Sequence, residues 1–211
     1  MSVKLPKNAV SSGMSSVAAD VALVILAGGA GSRLGGVDKA RIVRNEVTQL
    51  QRWIGEFRGQ VSVIYLANRT GECHPNVIAL ADHQAWPPSS GPIAGLAGAA
   101  AHAQTAWLLS IPVDTVSLPD ELLAQMWAGV GDDIDVVRLV DQDGPQHLIA
   151  LWRVRALRER LAQACLQHEG AIWKLQQDNL TEVQHPDFHC GNLNTPQDLR
   201  AFNARTPDET A

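Results

Sequence analysis

This sequence has no basic excess: 17 lysines and arginines face 22 aspartates and glutamates, for a formal net charge of −5. Without surplus cations to displace counterions from a polyphosphate backbone, general nucleic-acid or anionic-membrane binding is excluded as the expected role. Any anionic ligand has to be met by a local cluster. Cysteine is also scarce. Cys73, Cys165 and Cys190 are odd in number, widely separated and without CxxC spacing, which fits a reducing compartment, the cytoplasm, better than a disulfide framework. No apolar run is long enough to span a membrane, and the first twenty residues lack the apolar stretch of a secretory signal. Residues 1–20 are expected to form a disordered tail, with Met14 an alternative start, and the polar residues 205–211 a frayed end. What the chain does have is 211 residues of which 45% are hydrophobic, enough for one sizeable core, so residues 21–204 are expected to be a single domain.

Val21 to Ala27 is a β-branched and leucine-rich run ending in glycines, the pattern of a strand buried on both faces. Val47, Leu50, Trp53, Ile54 and Phe57 then recur at helical spacing, and "VSVIYLA" (61–67) reads as the next strand, completing a βαβ unit. "NVIALA" (76–81) predicts a strand, "GPIAGLAGAAAHA" (91–103) a tightly packed helix and "AWLLSI" (106–111) another buried strand. "SLPDELLAQMW" (117–127) predicts a helix with a serine cap. "IDVVRLV" and "QHLIALWR" flank "DQDGP", which predicts two strands joined by a turn and an antiparallel element in the sheet. Helical stretches follow at 154–167 and 171–177, and Thr195 can cap a last helix with Pro196 in its first turn. The alternation predicts a three-layer α/β/α fold around a mostly parallel sheet. Trp53, Trp107, Trp127 and Trp152 fall within these elements as core residues.

Open sheets of this kind take ligands beyond the carboxyl ends of their strands, where the stretch "LAGGAGSRLGGVDKA" (26–40) lies. It is not a Walker A loop, because Val37 and Asp38 follow Gly36 in place of lysine and serine or threonine. It is not the dinucleotide fingerprint either, since Gly29 and Gly31 are followed by Leu34 where the third glycine belongs. Glycine still allows backbone amides to approach phosphate oxygens closely, and Arg33 and Lys39 can neutralise the outer phosphates of a nucleoside triphosphate. A tight turn with solvated cations is the plainer account of the same residues.

The stretch resembles the signature of the molybdenum cofactor guanylyltransferases (MobA-type), within the GT-A-like nucleotidyltransferases. "LANR" (66–69), "LADH" (80–83), "GPIAG" (91–95), "IPVDTVSLP" (111–119), "QHLIALWR" (146–153) and "NLNTPQDL" (192–199) resemble further family segments in the same order. The resemblance implies a GT-A-like fold, Mg2+ as cofactor, GTP and the molybdopterin cofactor as substrates, and transfer of GMP with release of pyrophosphate. It implies that Leu26, Ala27 and Gly28 contact the nucleotide through their backbone and that Gly29 and Gly31 complete the loop. Arg33 and Lys39 match the cations that hold the triphosphate, and Asn68 and Asp82 match guanine-nucleotide positions. Gly91 with Gly95 matches a loop lining the site, Asp114 the magnesium-binding aspartate, and Asn192 and Asn194 an asparagine pair near metal and acceptor. A transient contact with a protein that delivers or accepts the labile cofactor is compatible with this, and no residue identifies one.

Other readings stay open beside it. Asp114, Asp82, Asn192 and Asn194 can each be read as ordinary turn or capping residues. Zinc at His185, His189 and Cys190 is set aside for want of a fourth ligand, and Trp86, in the loop "HQAWPPSSGP", is a candidate to stack on a pterin or a base. "VRNEVTQLQR" lacks the family's GxPL, Val116 stands where a proline often follows the metal aspartate, and His147 where proline is common. Alternatives are therefore a related nucleotidyltransferase using CTP or another phosphorylated acceptor, and a noncatalytic nucleotide-binding relative.

Overall fold

The computed structural model describes residues 18–28, 36–68, 75–87 and 90–204. Residues 18–20 are helical and lead into β1, whereas the expectations for residues 1–17 and 205–211 lie outside the described residues. The main sheet has seven strands in the order β5-β4-β1-β6-β8-β7-β9, namely β1 (Val21–Leu26), β4 (Val63–Ala67), β5 (Ile78–Leu80), β6 (Trp107–Pro112), β7 (Val136–Asp141), β8 (Gly144–Arg153) and β9 (Leu180–Gln184). Only β8 runs against the others: it pairs antiparallel with β6 and β7, while β1 with β4, β1 with β6, β4 with β5 and β7 with β9 are parallel. A two-stranded hairpin, β2 (Val43–Arg44) and β3 (Val47–Thr48), stands apart.

Every residue of β1 is buried, and its alternation divides the core. Val21, Leu23 and Ile25 face one layer, against α1 (Gln49–Phe57) and α3 (Leu122–Ala128). Ala22, Val24 and Leu26 face the other, against α2 (Pro92–His102) and α4 (Val154–Leu166). The fold is thus the three-layer α/β/α expected from the alternation of elements. Leu50, Trp53, Ile54 and Phe57 form the buried stripe of α1, and Thr48 and Gln51 close its first turn with a reciprocal capping box. Trp53, Trp107 and Trp152 are buried, and Trp127 meets Trp107 edge to face at 6.3 Å.

The structure departs from the sequence expectations in four places. The helix expected from Ser117 begins at Leu122, with Glu121 in the left-handed region (φ 53°) at its cap. Ser117 is drawn away because residues 116 and 117 donate their N–H groups to Gly191 O and Cys190 O, while its hydroxyl donates to His189 O. The stretch expected to be helical at 171–177 is a 3-10 turn, Ile172–Gln176. β9 carries no apolar run and was not anticipated; it adds as an edge strand beside β7. Finally, the β2–β3 turn is made by Asn45 (φ 49°) and Glu46 (φ 66°), which supply the positive φ values of a tight hairpin without the glycine that sequence patterns look for.

The last helix, α5 (Pro196–Ala204), is opened as expected: Asp198 N–H donates to Thr195 Oγ1, and Asp198 Oδ2 accepts from the N–H groups of Asn194 and Thr195. Burial alone would raise the Asp198 carboxyl, but these hydrogen bonds outweigh it and hold the group below its ordinary range. Phe202 of α5 joins Ile42, Val116 and Leu193 in a small third core that fastens the end of the chain beside the sheet edge.

Candidate functional site

Four parallel strands deliver chemistry to one edge of the sheet. β1 ends at Leu26 before Ala27 and Gly28, β4 before Asn68, β5 two residues before Asp82, and β6 two residues before Asp114. β4 and β5 lie on one side of β1 and β6 on the other, so the chain reverses its winding between β1 and β6. Crevices outside the carboxyl ends of strands at such a reversal are the usual ligand sites of open α/β sheets. A cleft of about 150 Å³ opens there. It is lined by Leu26, Ala27 and Gly28 from β1, by Pro112, Val113 and Asp114 from β6, and by Gly91 and Pro92 at the start of α2, with Lys39 and Leu148 at its flanks.

Lys39 and Asp114 meet in this cleft. Lys39 Nζ lies 2.7 Å from Asp114 Oδ2 and 2.7 Å from Asn194 Oδ1, and the paired side chains are only 15% and 22% exposed. Three remote segments therefore hold one ammonium between two oxygens. Lys39 opens a single 3-10 turn, Lys39–Arg41, capped by Asp38, whose carboxylate accepts from Ala40 N–H. Asp114 is fixed from the other side: Leu193 N–H donates to Asp114 O, and Thr115 forms an antiparallel bridge with Asn192. That bridge places exposed Asn192 beside the pair without contact to Lys39 among the hydrogen bonds of the described residues.

The remaining expected residues divide. Asn68 is buried at the β4 exit, where its N–H donates to Leu80 O, and Asp82 is half-buried at the β5 exit. Gly91 has φ 76° at the start of α2, a conformation that favours glycine. Gly95 was expected in a loop lining the site; it is instead inside α2, and a Cβ there would stand 2.9 Å from Ala67 Cβ and 3.8 Å from Asp82 Oδ1. Its lack of a side chain lets α2 approach the ends of β1 and β4. Gly29, Gly31 and Arg33 lie outside the described residues. Trp86, considered as a stacking platform, is 8% exposed and packed in the core beneath α2 and α4, so it offers no face to a ligand in the cleft. Pro92 and Leu148 line the cleft and were not anticipated. Leu148 lies in the stretch of β8 between Gln146 and Ala150 where the register with β7 shifts, an irregularity that no sequence pattern announces.

His185, His189 and Cys190 do not form a zinc site. His185 Nε2 is hydrogen-bonded to Gln125 Oε1, His189 pairs with Asp143, and the Cys190 thiol is buried beside Asp141, which pushes its pKa up. The one group of three metal-ligating side chains among the described residues is Asp141, Asp143 and His189. Asp141 is already committed there: it accepts from the N–H groups of Cys190 and Asp143 and from Gln146 Nε2. Burial would raise this carboxyl, and the three hydrogen bonds overcome that and lower it. Among the described residues, no helix is long and apolar enough to cross a membrane.

A carboxylate and a cation facing each other at the reversal point of an α/β sheet, beside a glycine-bearing strand exit, suit an anionic ligand, and a family match places the chain in the class of α/β nucleotidyltransferases. The chain belongs to the MobA-like NTP transferase domain family, whose sequence pattern matches residues 23–184. A molybdenum cofactor guanylyltransferase from Vibrio cholerae is 28% identical over 190 residues, covering 89% of this chain and 94% of that protein. Among solved structures, molybdopterin-guanine dinucleotide biosynthesis protein A from Archaeoglobus fulgidus superposes with a TM-score of 0.66 at 20% identity, covering 87% of this chain and 96% of that one. The 2-C-methyl-D-erythritol 4-phosphate cytidylyltransferase from Thermus thermophilus superposes with a TM-score of 0.68 at 17% identity, covering 88% and 98%. These two structures share the fold.

Proposed function

We propose that this nucleotidyltransferase transfers GMP from GTP to the terminal phosphate of the molybdopterin cofactor, releasing pyrophosphate and forming the guanine dinucleotide cofactor. The observation that carries the reading is the meeting of Lys39, Asp114 and Asn194 in the cleft at the β1–β6 reversal. Support for guanylyl transfer and for this acceptor comes from the curated relatives, such as the one from Vibrio cholerae named molybdenum cofactor guanylyltransferase.

An oxygen of the acceptor phosphate is already nucleophilic at neutral pH. It attacks the α-phosphorus of GTP, the new P–O bond forms as the bond to the β-phosphate oxygen breaks, and pyrophosphate carries away the electron pair. No general base is needed. The work left to the protein is in-line placement and charge neutralisation. The backbone of Leu26, Ala27 and Gly28, completed by Gly29 and Gly31, cradles the phosphates, and Lys39 and Arg33 neutralise them. Asn68 and Asp82, at the β4 and β5 exits, hold the guanosine end, with Gly91 shaping the wall between them and the phosphates and Gly95, inside α2, letting that helix close on the β4 exit. Asp114 and Asn194 present hard oxygen donors to one point, the donor type that suits Mg2+, and Asn192, bridged to Thr115, is assigned to the acceptor. Bound there, Mg2+ supplies positive charge to the phosphate oxygens and the leaving group. The acidic net charge and scattered cysteines support a cytoplasmic enzyme that works on GTP and cofactor rather than on nucleic acid or membrane.

The test is incubation of the protein with GTP, Mg2+ and purified molybdopterin cofactor, followed by mass analysis of the product. The guanine dinucleotide form is the expected product. Absence of pyrophosphate release with GTP, or preferential release with CTP, would overturn the assignment.

A further inference from the structure

We infer that Gln49, assisted by Arg52, is a positioning residue that fixes the backbone of Asp114 from behind. The inference rests on the reading of Asp114 given above. Gln49 opens α1, a helix whose buried stripe is otherwise apolar, yet Gln49 is itself only 1% exposed. Its Nε2 donates to Thr115 O at 2.5 Å, and Arg52 Nη2 donates to the same carbonyl at 3.1 Å. Trp53, on the same helical face, donates from Nε1 to Val113 O at 3.4 Å. The carbonyls immediately before and after Asp114 are thus both held by α1, while the carbonyl of Asp114 itself accepts from Leu193 N–H. Three consecutive peptide units are tethered, and the carboxylate they carry is left facing the cleft.

The main chain of Gln49 extends the same device to Lys39. Gln49 N–H donates to Ile42 O, and Ile42 N–H donates to Lys39 O, so the residue that grips the Asp114 strand exit also closes the turn that presents the lysine. One residue therefore sets the relative placement of the two charged groups.

Fold stability alone does not account for an amide here. Gln49 Oε1 has no partner among the described residues, and Thr115 Oγ1 beside it has none either. Burying an amide with an unpaired oxygen is unfavourable compared with an apolar side chain of the same length. Its donated hydrogen bond has a use that methionine could not serve. Small displacements of a group near reacting atoms cost far more in rate than in stability, up to ~100-fold for ~1 Å.

The test compares Gln49→Met, which keeps length and removes the donor, with Gln51→Ala, which removes the capping-box partner of Thr48 on the same turn and leaves Thr115 untouched. Thermal melting, steady-state kinetics with GTP, and Mn2+ affinity of the GTP-bound protein by electron paramagnetic resonance are measured for each. Gln49→Met is expected to lower kcat roughly tenfold at unchanged KM for GTP and to weaken Mn2+ binding several-fold. Gln51→Ala is expected to lower the melting temperature and leave both unchanged. Wild-type kcat and Mn2+ affinity in Gln49→Met, or the same losses in Gln51→Ala, would overturn the inference. If Gln49→Met does not fold, Arg52→Met has to show the same split, and its failure to do so overturns the inference equally. Absence of guanylyl transfer in the wild-type protein would count against the proposed function instead, and the Mn2+ measurement would still decide the role of Gln49.

Discussion

Replacing Lys39 by methionine should tighten, not weaken, the binding of a divalent cation to the nucleotide-free protein. Lys39 Nζ sits 2.7 Å from Asp114 Oδ2 and from Asn194 Oδ1, so the ammonium occupies the point at which the two oxygens offered to Mg2+ converge. A cation entering the free protein has to displace it. At an effective dielectric constant of about 20, two unit charges roughly 4 Å apart interact by about 4 kcal/mol. The 15% and 22% exposure of the two side chains admits solvent screening, and the ammonium regains hydration when it leaves. Keeping half of the Coulomb figure leaves about 2 kcal/mol, or roughly a thirtyfold gain in affinity once the competitor is gone. Titration of free Mn2+ by electron paramagnetic resonance reads this directly in the absence of GTP. In the wild-type protein GTP should raise Mn2+ affinity, because its phosphates draw Lys39 away from Asp114, and that coupling should shrink in Lys39→Met. Unchanged or weaker Mn2+ binding by Lys39→Met without nucleotide would refute the competition, and with it the placement of the metal at Asp114 and Asn194.

The other expectations are simpler. Asp114→Asn should nearly abolish pyrophosphate release while the circular dichroism spectrum and melting temperature stay close to wild type; turnover near the wild-type rate would remove Asp114 from the mechanism. Gly95→Ala puts a Cβ 2.9 Å from Ala67 Cβ, an overpacking that should cost about 1–3 kcal/mol and show as a lower denaturant midpoint, whereas an unchanged midpoint would mean that α2 shifts freely. Asp141→Ala leaves the buried Cys190 N–H without its acceptor and should destabilise by about 1–3 kcal/mol in chemical denaturation. Because the Asp141 carboxyl is lowered in the folded protein, its contribution is present above its unfolded pKa of about 4 and is lost as pH falls through the folded value. Asp141→Asn should therefore flatten the fall in melting temperature below about pH 4, and an acid limb identical to wild type would dismiss Asp141 as its source.

Much of the fold was legible because a strand buried on both faces leaves a continuous apolar run, an amphipathic helix a periodic stripe and a hairpin an Asp-Gly turn signal. β1, the stripe of α1 and the turn between β7 and β8 follow from such marks alone. The elements that escaped have physical reasons in common. β9 is an edge strand whose residues are half-buried or exposed, so it has no continuous apolar run to show. The start of α3 is governed by residues 116 and 117 pairing with residues 190 and 191, and a capping signal in Ser117 loses to that tertiary ladder. The site divides in the same way. Glycine-rich composition after a strand marks the place where a ligand is received, but contact of Lys39 with Asp114 and Asn194 spans separations of 75 and 155 residues. Lys39 could be read from the loop that carries it and Asp114 from its place just past a buried strand, whereas Asn194 was named by family resemblance alone and no pattern announced that the three meet. Gln49 was invisible to both, since a polar residue at the start of a helix reads as solvent-facing until the sheet edge it reaches is known.

The topology explains why Asp114 lies beyond β6 at this edge. After β1 the chain lays β4 and β5 on one side, with α1 between β1 and β4, and α2 then carries it back across β1 to place β6 on the other side. β1 and β6 are therefore neighbours in space with their carboxyl ends aligned, registered residue by residue from Val21 beside Trp107 to Leu26 beside Pro112. The tight turn that follows β6, closed by Thr115 N–H on Pro112 O, keeps Asp114 at this edge, where it lines the same cleft as Gly28. The cation is not supplied by the next strand out from β6, which is antiparallel, points its carboxyl end away and brings Leu148 to the cleft. Lys39 comes instead from the β1–α1 connection, and the segment at 190–194 crosses the same edge to bring Asn194 onto it. Beyond β6 the site is therefore completed from connections, the part of the chain that local sequence pattern describes least, and α1 bonds to the backbone on either side of Asp114 through Gln49, Arg52 and Trp53.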